Sequence, residues 1–221
     1  MHPMLQDIRL VAFDLDGTLI DSVPDLTAAV DGMLVEQGMA AVGEAKVRNW
    51  VGNGSQKLIE RALAHALGRT PDPAMLETSH DRFLNHYHAA PCQRTQLYPG
   101  TREALAALDS AGIVVTLITN KPKAFIDPIL VALGLRHYFR ETLGGDSLPE
   151  KKPHPAPLLH LAAQFGIDPE ACLMVGDSRH DVEAGKRAGF RTLAVPYGYN
   201  HGEPVASSRP DGMVESLGEL V

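Results

Sequence analysis

The stretch IRLVAFDLDGTLIDS, residues 8–22, leads an apolar run directly into two aspartates, Asp14 and Asp16. A continuous apolar run without polar alternation is typical of a strand that is buried on both faces of a parallel sheet. Two carboxylates placed where such a strand ends repel each other unless a positive charge lies between them. The stretch therefore predicts the first strand of a parallel sheet and, directly after it, a site that binds a cation.

Further short apolar runs follow along the chain and alternate with helical patterns. The runs are IVVTLIT (113–119), CLMVG (172–176) and RTLAV (191–195), with a weaker one at ETLG (141–144). Helical patterns that end at a glycine lie at 101–111, 156–165 and 181–188. Another helix is predicted at 123–133, where Pro128 should shorten its start or kink it. This alternation predicts an α/β fold with a Rossmann-like parallel sheet.

The segment after the first strand is predicted to be helical, because it contains no convincing strand. Apolar residues recur with helical spacing after Pro24, again over 55–67 and again over 73–89. We expect residues 22–94 to form an α-helical insert, and residues 1–21 and 95–221 to form the α/β core.

The composition is that of an ordinary globular protein of 221 residues, with 44% hydrophobic and 21% charged residues. The net charge of −7 argues against nucleic acid as a partner, because phosphate contacts need a basic face. No apolar stretch approaches the roughly 20 residues that cross a bilayer, and MHPMLQDIRL at the start lacks the pattern of a secretory signal. Cys92 and Cys172 fit neither a zinc site nor a disulfide framework. We expect a cytoplasmic protein without membrane partners.

Polar side chains follow three of the predicted strands. Because ligands of open parallel sheets bind at the carboxyl ends of the strands, we expect these side chains to gather at one edge of the sheet. Carboxylates this close raise one another's pKa unless a cation holds them, and oxygen ligands without histidine or thiolate favour a hard ion, Mg²⁺ above all. The predicted group is Asp14, Asp16, Thr119, Asn120, Lys121, Asp177 and Asp181.

A magnesium ion together with hydroxyl and amide donors and a lysine is typical of a phosphate site, since these groups stabilise charge on phosphoryl oxygens. The lysine is expected in EKKPHPAP, where Pro153 and Pro155 stiffen the loop. Both Lys151 and Lys152 fit that place. The expected partner is therefore a small phosphorylated metabolite.

Four motifs of the chain resemble those of the haloacid dehalogenase (HAD) superfamily. DLDGTLIDS (14–22) resembles motif one, TNK (119–121) motif two, KKPHPAP (151–157) motif three and GDSRHD (176–181) motif four. They occur in the family's order over nearly the whole chain. The insert at 22–94 resembles the cap that such enzymes carry between motifs one and two. The resemblance implies a HAD-like core with a helical cap that selects the substrate.

The resemblance also implies catalytic roles. Asp14 would be the nucleophile that takes the phosphoryl group as an aspartyl-phosphate, and Asp16 the general acid and base. The second aspartate favours phosphate chemistry, because the dehalogenases of the superfamily lack it. Thr119 and Asn120 would bind phosphoryl oxygens, and Lys152 matches the motif-three lysine, with its neighbour as the alternative.

The metal ligands are likewise implied by the resemblance. A side-chain oxygen of Asp14, the backbone carbonyl of Asp16 and the carboxylate of Asp177 would hold Mg²⁺. Asp181 would orient a metal-bound water or the lysine, and Thr18 would hold Asp16 by a hydrogen bond.

Within the superfamily the chain is most similar to bacterial phosphoglycolate phosphatases, on VRNWVGNG (47–54), TNKPKAFIDPIL (119–130), KKPHPAPLL (151–159) and YGYNHGE (197–203). This similarity implies hydrolysis of 2-phosphoglycolate to glycolate and phosphate. Gly52 and Gly54 flank Asn53 in a turn whose N–H groups and amide can reach a small carboxylate once the insert closes. The alternative is that these residues form only a helix end and a loop, with Trp50 in the core of the insert.

Two other functions stay open at this point. One is a HAD phosphatase or phosphosugar mutase, similar to β-phosphoglucomutase, that acts on another small phosphate ester. The other, from a different class, is a phosphoaspartate receiver module, which also sets acidic residues, a threonine and a lysine at strand ends but needs no insert. The sequence fits a monomer and a homodimer equally.

Overall fold

A six-stranded parallel sheet lies at the centre of the computed structural model, which describes residues 2–221. A separate pair of short strands forms an antiparallel ribbon. The strands, in chain order, are β1 (Leu10–Phe13), β2 (Ile20–Asp21), β3 (Gln96–Leu97), β4 (Val114–Ile118), β5 (Glu141–Leu143), β6 (Cys172–Gly176), β7 (Arg191–Ala194) and β8 (Gly212–Met213).

Helices connect most of these strands, which confirms the predicted α/β class. They are α1 (Val23–Glu36), α2 (Glu44–Trp50), α3 (Ser55–Leu67), α4 (Pro73–Ala89), α5 (Thr101–Ser110), α6 (Ile126–Ala132), α7 (Ala156–Phe165) and α8 (Arg179–Ala188). Short 3₁₀ helices lie at Pro3–Leu5, Lys123–Phe125, Arg136–Tyr138, Pro169–Ala171, Val205–Ser208 and Leu217–Leu220. Over residues 2–221, none of the helices combines the length and the apolar character needed to span a membrane.

The strand order places β1 in the middle of the sheet. The order is β5-β4-β1-β6-β7-β8, and every neighbouring pair is parallel. This is the order of a doubly wound Rossmann fold, which binds ligands where the winding reverses, beside its first strand. Phe13 at the end of β1 lies beside Leu117 of β4 and Val175 of β6. The segments that follow these three strands therefore emerge side by side.

The side chains of β1 are buried on both faces of the sheet, which explains its unbroken apolar sequence. Val11 and Phe13 belong to the larger hydrophobic core, whereas Leu10 and Ala12 belong to the core on the opposite face. This alternation follows from the two-residue period of a strand. Charged side chains lie only outside the strand, with Arg9 directly before it and Asp14 directly after it.

Helices α1–α4 form an insert between β1 and α5, and the antiparallel ribbon joins its two ends. β2 precedes α1 and pairs with β3, which follows α4. Asp25 in α1 is buried and accepts hydrogen bonds from the backbone N–H groups of Arg94 and Thr95 at 2.8 to 3.0 Å. The hydroxyl of Thr95 donates to the same carboxylate at 2.7 Å. The segment that begins the insert is therefore hydrogen-bonded to the segment that ends it.

Short elements are the ones that the sequence patterns do not predict. α2 has seven residues and buries only Val47, so it offers no repeating apolar face. β8 has two residues at the edge of the sheet. The helix predicted at 123–133 starts as a 3₁₀ turn and becomes α-helical at Ile126, in keeping with the short start expected from Pro128.

Replacing Asp25 with alanine is expected to lower the free energy of unfolding by about 3 kcal/mol, because it leaves buried N–H and O–H donors without an acceptor. Urea denaturation measures this loss. The matched control is Asp109→Ala, which removes an exposed ion pair with Arg140 and should cost less than about 1 kcal/mol. Equal losses in the two variants would contradict the role assigned to Asp25.

Candidate active site

The loop after β1 presents two aspartates at the carboxyl edge of the sheet. The backbone N–H of Asp14 donates to the carbonyl of Val175 at 3.0 Å, so strand pairing continues up to the first carboxylate. Gly17 then adopts a φ of +92°, which costs glycine little, and its N–H donates to the carbonyl of Ile20 at 2.9 Å. This tight turn keeps Asp14 and Asp16 at the end of the strand.

Three carboxylates from remote parts of the chain converge at this edge. One oxygen from each of Asp14, Asp177 and Asp181 lies within 4.8 Å of the other two. Asp177 directly follows β6, and Asp181 lies in the first turn of α8. Ser178 donates to Asp181 through its N–H at 3.0 Å and its hydroxyl at 2.7 Å, which holds the start of the helix in place. The cluster therefore depends on β1, β6 and α8 together.

Lys152 is the lysine that lies in this acidic cluster. Its Nζ lies 2.8 Å from Oδ1 of Asp14 and 2.6 Å from Oδ1 of Asp181, and it donates to the carbonyl of Ile118 at 2.8 Å. Its side chain is 2% exposed. Lys151 is exposed and donates to a backbone carbonyl of the insert at 3.2 Å. Of the two lysines that fit by sequence, the geometry brings only Lys152 to the carboxylates.

The cluster holds more negative charge than one lysine neutralises. Burial raises the pKa of Asp14 to about 7, opposed by Lys152 and reinforced by the charges of Asp181 and Asp16. Burial, followed by the charges of Asp181 and Asp14, raises the pKa of Asp177 well above its ordinary range. A further cation at this position would relieve both effects.

The donors of the cluster fit a hard divalent cation. They are carboxylate oxygens, with neither histidine nor thiolate among the converging groups of residues 2–221. Asp177 is oriented by the hydroxyl of Thr18, which donates to Oδ1 at 2.7 Å, and by the N–H of Tyr199, which donates to Oδ2 at 2.5 Å. Gly17 and Gly198 pack against its side chain, since a Cβ on either would lie within 2.4 Å of it. The chain therefore encloses this carboxylate where a ligand to a cation is needed.

Asp16 is paired with Lys121, a residue to which the sequence motifs assign no separate role. The Nζ of Lys121 lies 2.8 and 3.1 Å from the two carboxylate oxygens of Asp16. Burial opposes the charge of this ammonium, but the carboxylate outweighs it and the pKa of Lys121 is raised. The hydrogen bond predicted from Thr18 to Asp16 is wrong: Thr18 donates to Asp177, and the hydroxyl of Ser22 donates to Asp16 at 2.5 Å.

Thr119 and Asn120 follow β4 and line the cavity in front of the two aspartates. The N–H of Thr119 continues the pairing of β4 with β5 by donating to Leu143 at 3.0 Å. The amide nitrogen of Asn120 donates to the carbonyls of Gly52 and Lys152, both at 3.0 Å. Asn120 therefore connects the insert to the loop that carries the buried lysine.

The cavity between insert and core is small, at about 50 Å³. A space of this size accommodates only a few water-sized groups. The core side is polar and contains the two aspartates, while the insert side is mostly apolar, with Leu26, Val51, Leu58, Phe83 and Tyr87. The site is therefore shaped for a small substrate.

The loop between α2 and α3 carries the predicted substrate contacts and lies against the core. Gly52 and Gly54 line the cavity. The side chain of Asn53 makes other contacts: its Nδ2 lies 2.6 Å from Nε2 of His180 in α8, and its Oδ1 accepts from Arg61 at 2.8 Å. The two glycines thus line the cavity, and Asn53 links the loop to the core.

A family model described as "haloacid dehalogenase-like hydrolase" matches residues 8–189, from the start of the first apolar run to the residue after α8. The chain belongs to this family. The match includes all four motifs and confirms the resemblance on which the roles of this HAD-like hydrolase were predicted.

Named relatives of this HAD-like hydrolase cover almost all of its length. The phosphoglycolate phosphatase of Nitrosococcus oceani is 46% identical over 98% of this chain and 96% of its own. Phosphoglycolate phosphatase 1 of Pseudomonas aeruginosa is 47% identical over 96% of this chain and 78% of its own. A crystal structure described as a "predicted phosphoglycolate phosphatase" from Haemophilus somnus 129PT superposes with a TM-score of 0.93 at 37% identity, covering 97% and 96% of the two chains. This HAD-like hydrolase is therefore a phosphatase.

Replacing Lys152 with alanine is expected to lower kcat/KM for p-nitrophenyl phosphate at least about 100-fold, because it removes the buried donor beside Asp14. Steady-state kinetics measure the loss. The matched control is Lys151→Ala, whose side chain is exposed and which should change kcat/KM less than about fivefold. The placement of the site lysine would be refuted by the reverse order of losses.

Proposed function

We propose that this HAD-like hydrolase is a Mg²⁺-dependent phosphatase that converts 2-phosphoglycolate to glycolate and phosphate through an aspartyl-phosphate on Asp14. The observation that carries the proposal is the contact of a buried lysine with a carboxylate that faces a small cavity. The substrate is supported by the names of relatives that are 46% and 47% identical over nearly the whole chain. We also propose that the enzyme works in the cytoplasm, as a monomer or a homodimer.

In the first step, an oxygen of Asp14 attacks the phosphorus atom, and the bond between phosphorus and the glycolate oxygen breaks. Asp16 donates its proton to that leaving oxygen, because an alkoxide is a poor leaving group. In the second step, Asp16 takes a proton from a water molecule whose oxygen attacks phosphorus. The bond to Asp14 breaks, phosphate leaves, and both carboxyl groups return to their starting states.

The other site residues hold the phosphoryl group during these steps. Lys152 donates to its oxygens from beside Asp14, and Thr119 and Asn120 donate from the end of β4. Asp181 positions Lys152 through the contact of 2.6 Å. A bound Mg²⁺ would supply positive charge that favours ionised Asp14 and stabilises charge on the phosphoryl oxygens.

The proposed metal ligands are a side-chain oxygen of Asp14, the backbone carbonyl of Asp16 and the carboxylate of Asp177. Support comes from the convergence of the Asp14 and Asp177 carboxylates and from their raised pKa values, which a cation would offset. Asp181 is the remaining member of the carboxylate cluster. Because it already accepts from Lys152 and Ser178, its proposed role is to orient the lysine.

We propose that residues 22–94 act as a cap that closes over the substrate, with residues 1–21 and 95–221 as the catalytic core. The contact of Asn120 with the carbonyl of Gly52 supports this, since it joins the two parts directly above the cavity. The loop residues Gly52, Asn53 and Gly54 are the proposed substrate-facing part of the cap. The glycines bring backbone to the cavity, and Asn53 keeps their loop closed.

A panel of phosphate esters tests the substrate. With Mg²⁺ present, kcat/KM for 2-phosphoglycolate is expected to exceed that for ethyl phosphate, glycerol phosphate and hexose phosphates at least about tenfold. EDTA should abolish turnover and added Mg²⁺ should restore it, because the carboxylate cluster needs a cation. The proposal fails if another ester is the best substrate, or if a hexose bisphosphate intermediate shows mutase activity.

Replacing Asp14 with asparagine is expected to reduce turnover at least about 1,000-fold, because the amide cannot attack phosphorus. It should also abolish Mg²⁺-dependent formation of a beryllofluoride adduct, observed by fluorine NMR. The matched control is Asp127→Asn, in an exposed pair with Arg136, which should keep both properties. Retained turnover in Asp14→Asn would refute its assignment as nucleophile.

A further inference from the structure

The cavity contains two polar side chains to which the proposed phosphate chemistry assigns no role. They are the ammonium of Lys121 and the hydroxyl of Tyr87, and both residues line the cavity. Lys121 is 6% and Tyr87 is 2% exposed. The two lie side by side, with Nζ 4.9 Å from the centroid of the tyrosine ring.

The hydroxyl of Tyr87 is buried and has no hydrogen-bond partner within residues 2–221. A buried hydroxyl in this state is costly and is expected to find a partner when a ligand enters. Burial raises the pKa of Tyr87 to about 12, which keeps the hydroxyl a donor. The cavity therefore offers an unused donor on the insert side.

Lys121 supplies the matching charge. It is the one cationic residue among those that line the cavity in the described part of the chain. Its two hydrogen bonds both go to the carboxylate of Asp16. Since an ammonium has three N–H groups, the third is left beside Tyr87, where it can turn to a ligand that enters the cavity.

We propose that Lys121 and Tyr87 form the subsite that binds the carboxylate of the substrate, and so select phosphate esters of small hydroxy acids over neutral esters. This rests on the proposed function of the site. The subsite holds one cation and one neutral donor, which suits the single charge of a carboxylate.

The position of the subsite also limits the length of the substrate. Asp16 is the proposed proton donor to the ester oxygen, and Nζ of Lys121 lies 2.8 Å from its carboxylate. The ester oxygen and an oxygen bound by Lys121 are therefore separated by about three hydrogen-bond lengths at most. This upper limit and the small cavity exclude an acid whose carboxylate lies at the end of a long chain.

Binding of two unreactive analogues tests the subsite without requiring turnover. The phosphonate 3-phosphonopropionate carries a carboxylate, and propylphosphonate has a methyl group in its place. Isothermal titration calorimetry in the presence of Mg²⁺ is expected to show that the wild-type enzyme binds 3-phosphonopropionate at least about tenfold more tightly. Lys121→Met should remove this preference, and Tyr87→Phe should reduce it about threefold or more.

Tyr98→Phe is the matched control, because Tyr98 also has a buried hydroxyl without a partner in residues 2–221 but does not line the cavity. It should keep the wild-type preference. The subsite is refuted if the wild-type enzyme shows no preference, or if both Lys121→Met and Tyr87→Phe retain it. Equal weakening of both analogues in Lys121→Met and Tyr87→Phe also refutes it, since Lys121 would then only position Asp16.

The binding experiment and the substrate panel can fail independently of each other. A wild-type enzyme that prefers 3-phosphonopropionate but hydrolyses another carboxylated ester best would refute 2-phosphoglycolate and support the subsite. An enzyme that hydrolyses 2-phosphoglycolate best, but loses no preference in Lys121→Met and Tyr87→Phe, would support the proposed function and refute the subsite.

Discussion

The contact of the Lys152 ammonium with Asp14 and Asp181 is the interaction on which the site depends. All three charged groups are largely removed from water, with the lysine side chain 2% and that of Asp14 13% exposed. Buried charges are tolerated only when oppositely charged partners contact them with good geometry. Removing one of the three side chains would therefore leave a buried charge without a partner, which is strongly destabilising. Their positions come from the sheet, since β1 lies between β4 and β6 and the loops after these strands share one edge.

Two aspartates only two residues apart acquire different surroundings through this arrangement. Asp14 meets Lys152 from the loop before α7, whereas Asp16 meets Lys121 from the end of β4. Each carboxylate thus has its own cation. Groups with distinct environments are suited to distinct tasks, as the roles proposed for Asp14 as nucleophile and Asp16 as proton donor require.

The sequence predicts five of the six strands of the central sheet, all but β8, because buried parallel strands are continuous apolar runs. It also predicts that the polar residues after three of them converge, because ligands of such sheets bind at the carboxyl ends of the strands. It does not predict which side chain holds which carboxylate. After the turn at Gly17, the hydroxyl of Thr18 donates to Asp177, and Asp16 accepts from the hydroxyl of Ser22 instead. The spacing of these residues in the sequence does not predict this choice of partners. The nearness of Tyr87 and Lys121 depends on how α4 docks above the sheet, and Asn53 turns to His180 for the same reason. Contacts between remote segments leave no periodic pattern in either segment.

The antiparallel ribbon at the base of the insert has an evolutionary consequence. Because Ile20 pairs with Leu97, the polypeptide leaves the core and returns to it at adjacent points. The core would be an almost continuous chain if the intervening residues were exchanged for a short turn. The size and lining of the inserted module can thus change in evolution while the strands beneath it keep their register and the carboxylates at their ends stay in place.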